Sequence, residues 1–111
     1  MNKFQIFNVD ISYLELGQTF AVRLPVGFRI ADLIVDDEAR LRIFGEYAAN
    51  ETRVGIRKLA IVVPGSTLGD NYKYLMSAIL GGTAVGGWYE VLEPKNPMED
   101  AIPMVSTPYG E

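Results

Sequence analysis

The sequence predicts an all-β domain, mainly antiparallel and built as a small sandwich, roll or barrel. Three observations carry this. Valine, isoleucine, tyrosine and phenylalanine recur in short runs of alternating polarity. Glycine is frequent at 11 residues, with 6 prolines. Turn signals separate the runs at roughly ten-residue intervals. The chain of 111 residues has the length of one domain, and its 49% hydrophobic content suffices for a single core without metals or disulfides.

The elements run in order. In "TFAVRL", Phe20, Val22 and Leu24 alternate with Thr19, Ala21 and Arg23, a period of two. "PVG" (25–27) is a turn, since proline presets one dihedral and glycine permits a positive φ. "FRIADLIV" is the next strand, ended by the acidic turn "DDE". "ARLRIFGEY", the loop "AANET" and "RVGIRKLAIVV" read as a strand, a connection and a strand, closed by "PG". "STLGDNYKYLMSAIL" carries two signals. Ser66 and Asp70 are possible helix caps, whereas Tyr72, Tyr74, Met76, Ala78 and Leu80 alternate as in a strand. Strand is the preferred reading, with one short helix near 68–80 as the competitor. Residues 1–93 thus form a single β domain. In residues 94–111, Pro94, Pro97, Pro103 and Pro108 rule out a ladder or a helix, so an extended or disordered tail is expected.

"GGTAVGG" (81–87) has the look of a phosphate-cradling loop. Such a loop needs a helix N-terminus after it to aim N–H groups at the anion. The next residues are "WYEVLEP", aromatic and β-branched and ended by proline. Gly81 and Gly82 are therefore expected to turn a hairpin, with Gly86 and Gly87 relaxing or bulging the next strand.

Composition removes much chemistry. The chain has no cysteine and no histidine. Thiolate nucleophiles, disulfides, Ser-His-Asp triads and nearly all zinc sites are excluded. A net charge of −4 argues against a general nucleic-acid binder. The N-terminus has no signal-peptide pattern and no apolar run reaches the length of a membrane span, so a cytoplasmic protein without membrane partners is expected. No cofactor is implied. Asp36, Asp37 and Glu38 are of the type that holds a hard cation, but a solvated turn is the preferred reading. Lys58 beside Arg57 is read as a surface lysine rather than a nucleophile. Trp88 and Tyr89 alternate, so one faces the core. The other, like Tyr72 and Tyr74, stays open between packing and stacking on a base.

The order "FQIF", "LPVGFRI", a strand ending near "VPG", then "YKYLMSAIL" and "GGWYEVLE" resembles a family of small phage-encoded domains of unknown function. Their usual pattern near the C-terminus is an aromatic-x-Y-I-G-T strand, a glycine turn, then W-H-V-[FY]-E. The resemblance spans about residues 3 to 93. Tyr89 stands where the family usually has histidine, "YLMSAIL" lacks the glycine, and "GGTAVGG" looks longer than the usual turn. The resemblance implies a phage origin, an all-β fold and an accessory role in infected cells. It implies no reaction, and no residue role is carried over from it.

The candidate site is an arginine face. Arg40, Arg42, Arg53 and Arg57 flank "AANET". If the two strands pair as a hairpin with Glu46 opposite Arg53, then Phe44 faces Gly55, Arg42 faces Arg57 and Arg40 faces Leu59. The other face would set Leu41, Ile43 and Tyr47 against Val54, Ile56 and Ala60 as a core layer. An anion would then sit between the guanidinium forks of Arg42 and Arg57, with Arg40 or Arg53 assisting and Phe44 as the wall. In the competing reading the arginines splay into water or meet acids such as Asp32 and Asp36. The function expected is a non-catalytic accessory protein that sequesters a small anionic ligand, with a nucleotide defence signal as the candidate. The alternative is a phage interaction or assembly module acting through strand edges and the tail. A Mg²⁺-dependent hydrolase using Asp36 or Asp37 ranks last. In either leading case the chain is expected to form a homo-oligomer.

Overall fold

The computed structural model describes residues 1–93. The expected proline-rich tail, 94–111, lies outside the described residues. Seven strands form: β1 (Asn2–Asp10), β2 (Phe20–Pro25), β3 (Arg29–Val35), β4 (Arg40–Ala48), β5 (Val54–Val62), β6 (Tyr72–Leu80) and β7 (Thr83–Val91). They make two antiparallel sheets, a three-stranded one in the order β1-β4-β3 and a four-stranded one in the order β2-β5-β7-β6. The all-β sandwich is therefore as expected. The helical alternative near 68–80 is not taken, and among the described residues no helix is long and apolar enough to cross a membrane.

Period-two alternation builds the core. Phe20, Val22 and Leu24 of β2 point inward while Ala21 and Arg23 stay exposed. Leu59, Ala78 and Trp88 of the same sheet extend this layer, Leu41 and Ile43 of β4 meet it from the other sheet, and all five are fully buried. Phe20 packs edge-on against Trp88 at 6.1 Å between ring centroids. The Gly81–Gly82 pair closes the β6–β7 hairpin as a two-residue turn. Both φ angles are positive (57° and 80°), a conformation that glycine adopts with no Cβ penalty.

Two irregularities re-aim side chains on the hairpin. Tyr74 pairs with Tyr89 and Met76 with Trp88, so Leu75 is an extra residue. The bulge turns Tyr72 and Tyr74 outward and lets Leu75, Met76, Ala78 and Leu80 pack on the core. The alternation from Tyr72 to Leu80 is thus a strand but not a single face. A second register shift, between Ala78 and Ile79, makes Val85 the extra residue on β7, beside Gly86.

Candidate functional site: a tyrosine groove on the four-stranded sheet

The predicted arginine hairpin does not form. Both edges of β4 are occupied, by β1 and by β3, while β5 lies between β2 and β7 in the other sheet. The "AANET" connection therefore crosses between sheets, tied down by Ala49 N–H to the Met1 carbonyl and by Val26 N–H to the Arg53 carbonyl. Arg42 does not face Arg57, and Glu46 does not face Arg53. Glu46 instead pairs with Phe4 and Arg29.

The fold places the candidate residues in three separate settings. Arg40, Arg42 and Phe44 share the outer face of the three-stranded sheet, as their alternation in β4 predicts. Phe44 lies 6.3 Å from Phe4 there. Arg40 is spent on carboxylates, with Nε 3.1 Å from Asp36 and Nη2 2.6 Å from Glu38. Arg42 is held more loosely, its Nε 3.6 Å from the same Asp36 oxygen. Asp36 itself is the turn-former: its other oxygen accepts the backbone N–H groups of Glu38 (2.9 Å) and Arg40 (3.0 Å). The Arg40 amide, above all, holds this carboxyl below its ordinary range. With its oxygens so engaged, Asp36 is a turn residue paired to arginine rather than a cation ligand. Arg53 sits in the connection and forks onto Glu51, with Nε at 2.9 Å and Nη2 at 3.0 Å. That side chain and the Arg53 amide lower the Glu51 carboxyl to about 2.

Arg57 is the largest departure from expectation. The β5 face expected to be apolar, Val54 and Ile56, is turned to solvent at 61% and 66% exposure. Arg57 points inward with Leu59 and Ile61. It forks onto Glu90 of β7 with two 2.7 Å hydrogen bonds, and its remaining nitrogen, Nη1, donates to the Phe28 carbonyl. Glu90 is buried. This clamp ties the β2–β3 crossover to the four-stranded sheet and closes one end of the sandwich. It is structural, and the expected anion between Arg42 and Arg57 has no place to sit.

The reversal of β5 leaves an unusual surface on the outside of the four-stranded sheet. β2 contributes Ala21 and Arg23 to it. From β5 come Val54, Ile56, Lys58, Ala60 and Val62, and from β7 come Gly87, Tyr89 and Val91. β6 adds Tyr72, Tyr74, Ser77 and Ile79. These strands supply no carboxylate to the face. Its charges are Arg23, which has no ion pair among the described residues, and Lys58, which reaches Glu93 just past β7. Tyr89 lies between Tyr72 (6.2 Å) and Tyr74 (5.4 Å), each in edge contact with it.

Beside this triad runs a groove of about 440 Å³, lined by Tyr74, Tyr89, Val62, Gly87 and the Val63–Leu68 loop. Gly87 is its floor. A methyl group there would stand 3.0 Å from the Tyr74 ring and 3.1 Å from the Tyr89 ring, so only glycine leaves both rings in place over an open floor. Tyr74 remains 55% exposed. The arrangement offers a planar guest two aromatic edges and a flat backbone floor; the cations of the face stand farther along the sheet, Lys58 opposite Val91 and Arg23 opposite Ile56. Tyr72, Tyr74 and Tyr89 were legible in the sequence as aromatics open between core and surface. Gly87 and the Val63–Leu68 loop were not, because only the β5–β7 register, with Val62 opposite Gly87, and the β6–β7 register, with Tyr74 opposite Tyr89, bring them together.

In comparisons with known proteins, no family model, curated protein or solved structure matches this chain.

Proposed function

We propose that the chain is a non-catalytic binding protein whose ligand lies in the tyrosine groove, and that this ligand is small, planar and anionic, with a nucleotide as the best-fitting class. The Gly87-floored groove between Tyr74, Tyr89 and the Val63–Leu68 loop carries the reading. Its volume falls in the range of roughly 300–1,000 Å³ typical of small-molecule sites. Tyrosine rings engage bases with little regard to sequence, and Arg23, which has no ion pair among the described residues, lies farther along the same sheet face, where an extended anionic group could reach it. The absence of histidine and cysteine supports binding over turnover. The resemblance to small phage domains is consistent with an accessory protein that withholds a nucleotide signal from its receptor.

A thermal-shift panel of mono-, di- and cyclic nucleotides tests this. At least one nucleotide should raise the melting temperature of the wild type without being consumed. Tyr74→Ala should keep the unliganded melting temperature and weaken binding about 10- to 100-fold, the range of one lost base stack. Gly87→Ala should weaken it by filling the floor. If no nucleotide at millimolar concentration stabilises the chain, or if Tyr74→Ala binds as well as the wild type, the groove is not a nucleotide site.

A further inference from the structure

Two sheets leave four edges, and three of them are guarded against pairing. β2 is six residues long, carries Arg23 and ends at Pro25. β3 is broken by a register shift at Ala31, next to the charged Asp32. β6 carries Lys73 and two register shifts in its ladder. Short strands, bulges, charge and proline are the devices that keep edges from pairing with other chains.

β1 has none of them. Its nine residues, "NKFQIFNVD", pair with β4 without a shift from Asn2↔Ala48 to Asp10↔Arg40. There is no proline or glycine, and the only charges, Lys3 and Asp10, stand near its ends. Among the described residues nothing pairs with its other side. Met1 offers its carbonyl to Ala49 and Ile11 its N–H to Ala39, so the odd-numbered positions serve β4. By the alternation of an antiparallel ladder, the even-numbered positions Asn2, Phe4, Ile6, Asn8 and Asp10 aim their N–H and C=O groups away from the sheet. Two of those residues are also exposed apolar side chains, Phe4 at 60% and Ile6 at 40%.

We propose that this edge joins a second copy of the same chain, β1 against β1 about a two-fold axis through Ile6, giving one six-stranded sheet in the order β3-β4-β1-β1-β4-β3. The register is set by the residues. With Ile6 opposite itself, Phe4 lies opposite Asn8 and Asn2 opposite Asp10. Every even position then meets an even position, which is the parity that hydrogen bonding requires, and about ten backbone bonds form over the full strand. No like charges are opposed, since Lys3 meets Val9. Shifting the copies by two residues either leaves an end unpaired or sets Phe4 against Asp10. Phe4 and Ile6 of both copies become contiguous on the outer face, beside Phe44. A closed two-fold pair consumes the edge, whereas a peptide partner would leave open which side chains it brings. The tyrosine groove lies on the other sheet, so the dimer stands apart from the ligand reading.

Sedimentation of the full chain provides the test. Wild type should be a dimer at about 100 µM, within reach of an interface at the small end of the usual range. Ile6→Lys sets two like charges on the axis and should give a folded monomer, with its β-sheet circular dichroism and melting curve retained. Ile6→Glu alone should do the same. Mixing the two variants should restore the dimer. The chain lacks cysteine, so Ile6→Cys should cross-link on mild oxidation and Phe4→Cys should not, which reads out the register. A wild type that is monomeric at that concentration, a dimer untouched by Ile6→Lys, or Phe4→Cys linking as readily as Ile6→Cys would overturn the proposal.

Discussion

β4 and β5 look like a matched pair in sequence, each with arginines set between aliphatic residues, yet the fold treats them oppositely. In β4 the arginines face out and Leu41 and Ile43 face in, as alternation dictates. In β5 the first half is inverted: Val54 and Ile56 face solvent and Arg57 faces the interior. Both strands obey period two. They differ in which residues fix the parity. In β4 every aliphatic residue argues for the same face. In β5 the positions of Val54 and Ile56 argue for one face and those of Leu59 and Ile61 for the other. Leu59 and Ile61 win because they meet Phe20 and Trp88 across their ladders. Arg57 is carried inside with them, which is tolerable only because Glu90 and the Phe28 carbonyl wait there. An unpaired charge in that position would be driven out. Alternation thus fixes a period, while the neighbouring strands decide which phase is buried.

The largest expected effect is a contrast within β5. Leu59→Ala should cost about 2–5 kcal/mol, as for a fully buried leucine, whereas Ile56→Ala should stay within about 0.5 kcal/mol despite removing an equally large side chain. Equal losses in urea denaturation would mean that the parity is wrong.

Next comes the clamp. Glu90→Ala strands the Arg57 cation and should cost about 3 kcal/mol. That is the low end for a broken buried pair, because the Arg57 side chain keeps 25% of its exposure. Arg57→Met combined with Glu90→Leu should recover most of the loss. A double variant no better than Glu90→Ala would show that shape, not charge balance, holds this end of the sandwich.

Arg42→Ala should change stability by less than about 0.5 kcal/mol, since its single carboxylate contact is long and exposed. It should also leave any nucleotide-induced thermal shift intact. Loss of that shift would return the site to the β4 face.

The smallest effect concerns acid. Glu51 titrates at about 2 rather than 4.5 because Arg53 pairs with its ionised form. A depressed folded value contributes stability that is fully present above 4.5 and lost as pH falls through about 2. The advantage of wild type over Glu51→Gln should therefore shrink steadily between pH 5 and pH 2. An unchanged difference across that window would mean the exposed pair contributes nothing.

The candidate site was only partly legible, for reasons visible in single residues. Tyr72, Tyr74 and Tyr89 stood out as aromatics without an assigned face. Their common outward direction depends on the extra residue Leu75, and nothing in "YKYLMSAIL" marks a bulge. The arginines stood out by number around one loop. Their count carried no information about acids far along the chain, such as Glu90, which lies 33 residues from Arg57.

By itself the sequence determined the strands from β2 to β7, most of their turns and the β4 face, whereas β1 is not assigned from its own residues and the connection after β4 reads as a hairpin. Those rest on local physics: side chains alternate along a strand, a glycine pair takes consecutive positive φ angles at low cost, and aspartate folds its own backbone into a turn. It also determined that Trp88 or Tyr89, but not both, would be buried. Tertiary structure alone decided which strands are neighbours, the phase of β5, and the bulge that gathers three tyrosines over Gly87. Strand order is set by long-range burial, where each candidate pairing satisfies the same backbone groups and differs only in the side chains it brings together. Here the deciding side chains, Leu59, Ile61, Trp88 and Glu90, lie far apart along the chain and meet only in the folded sandwich.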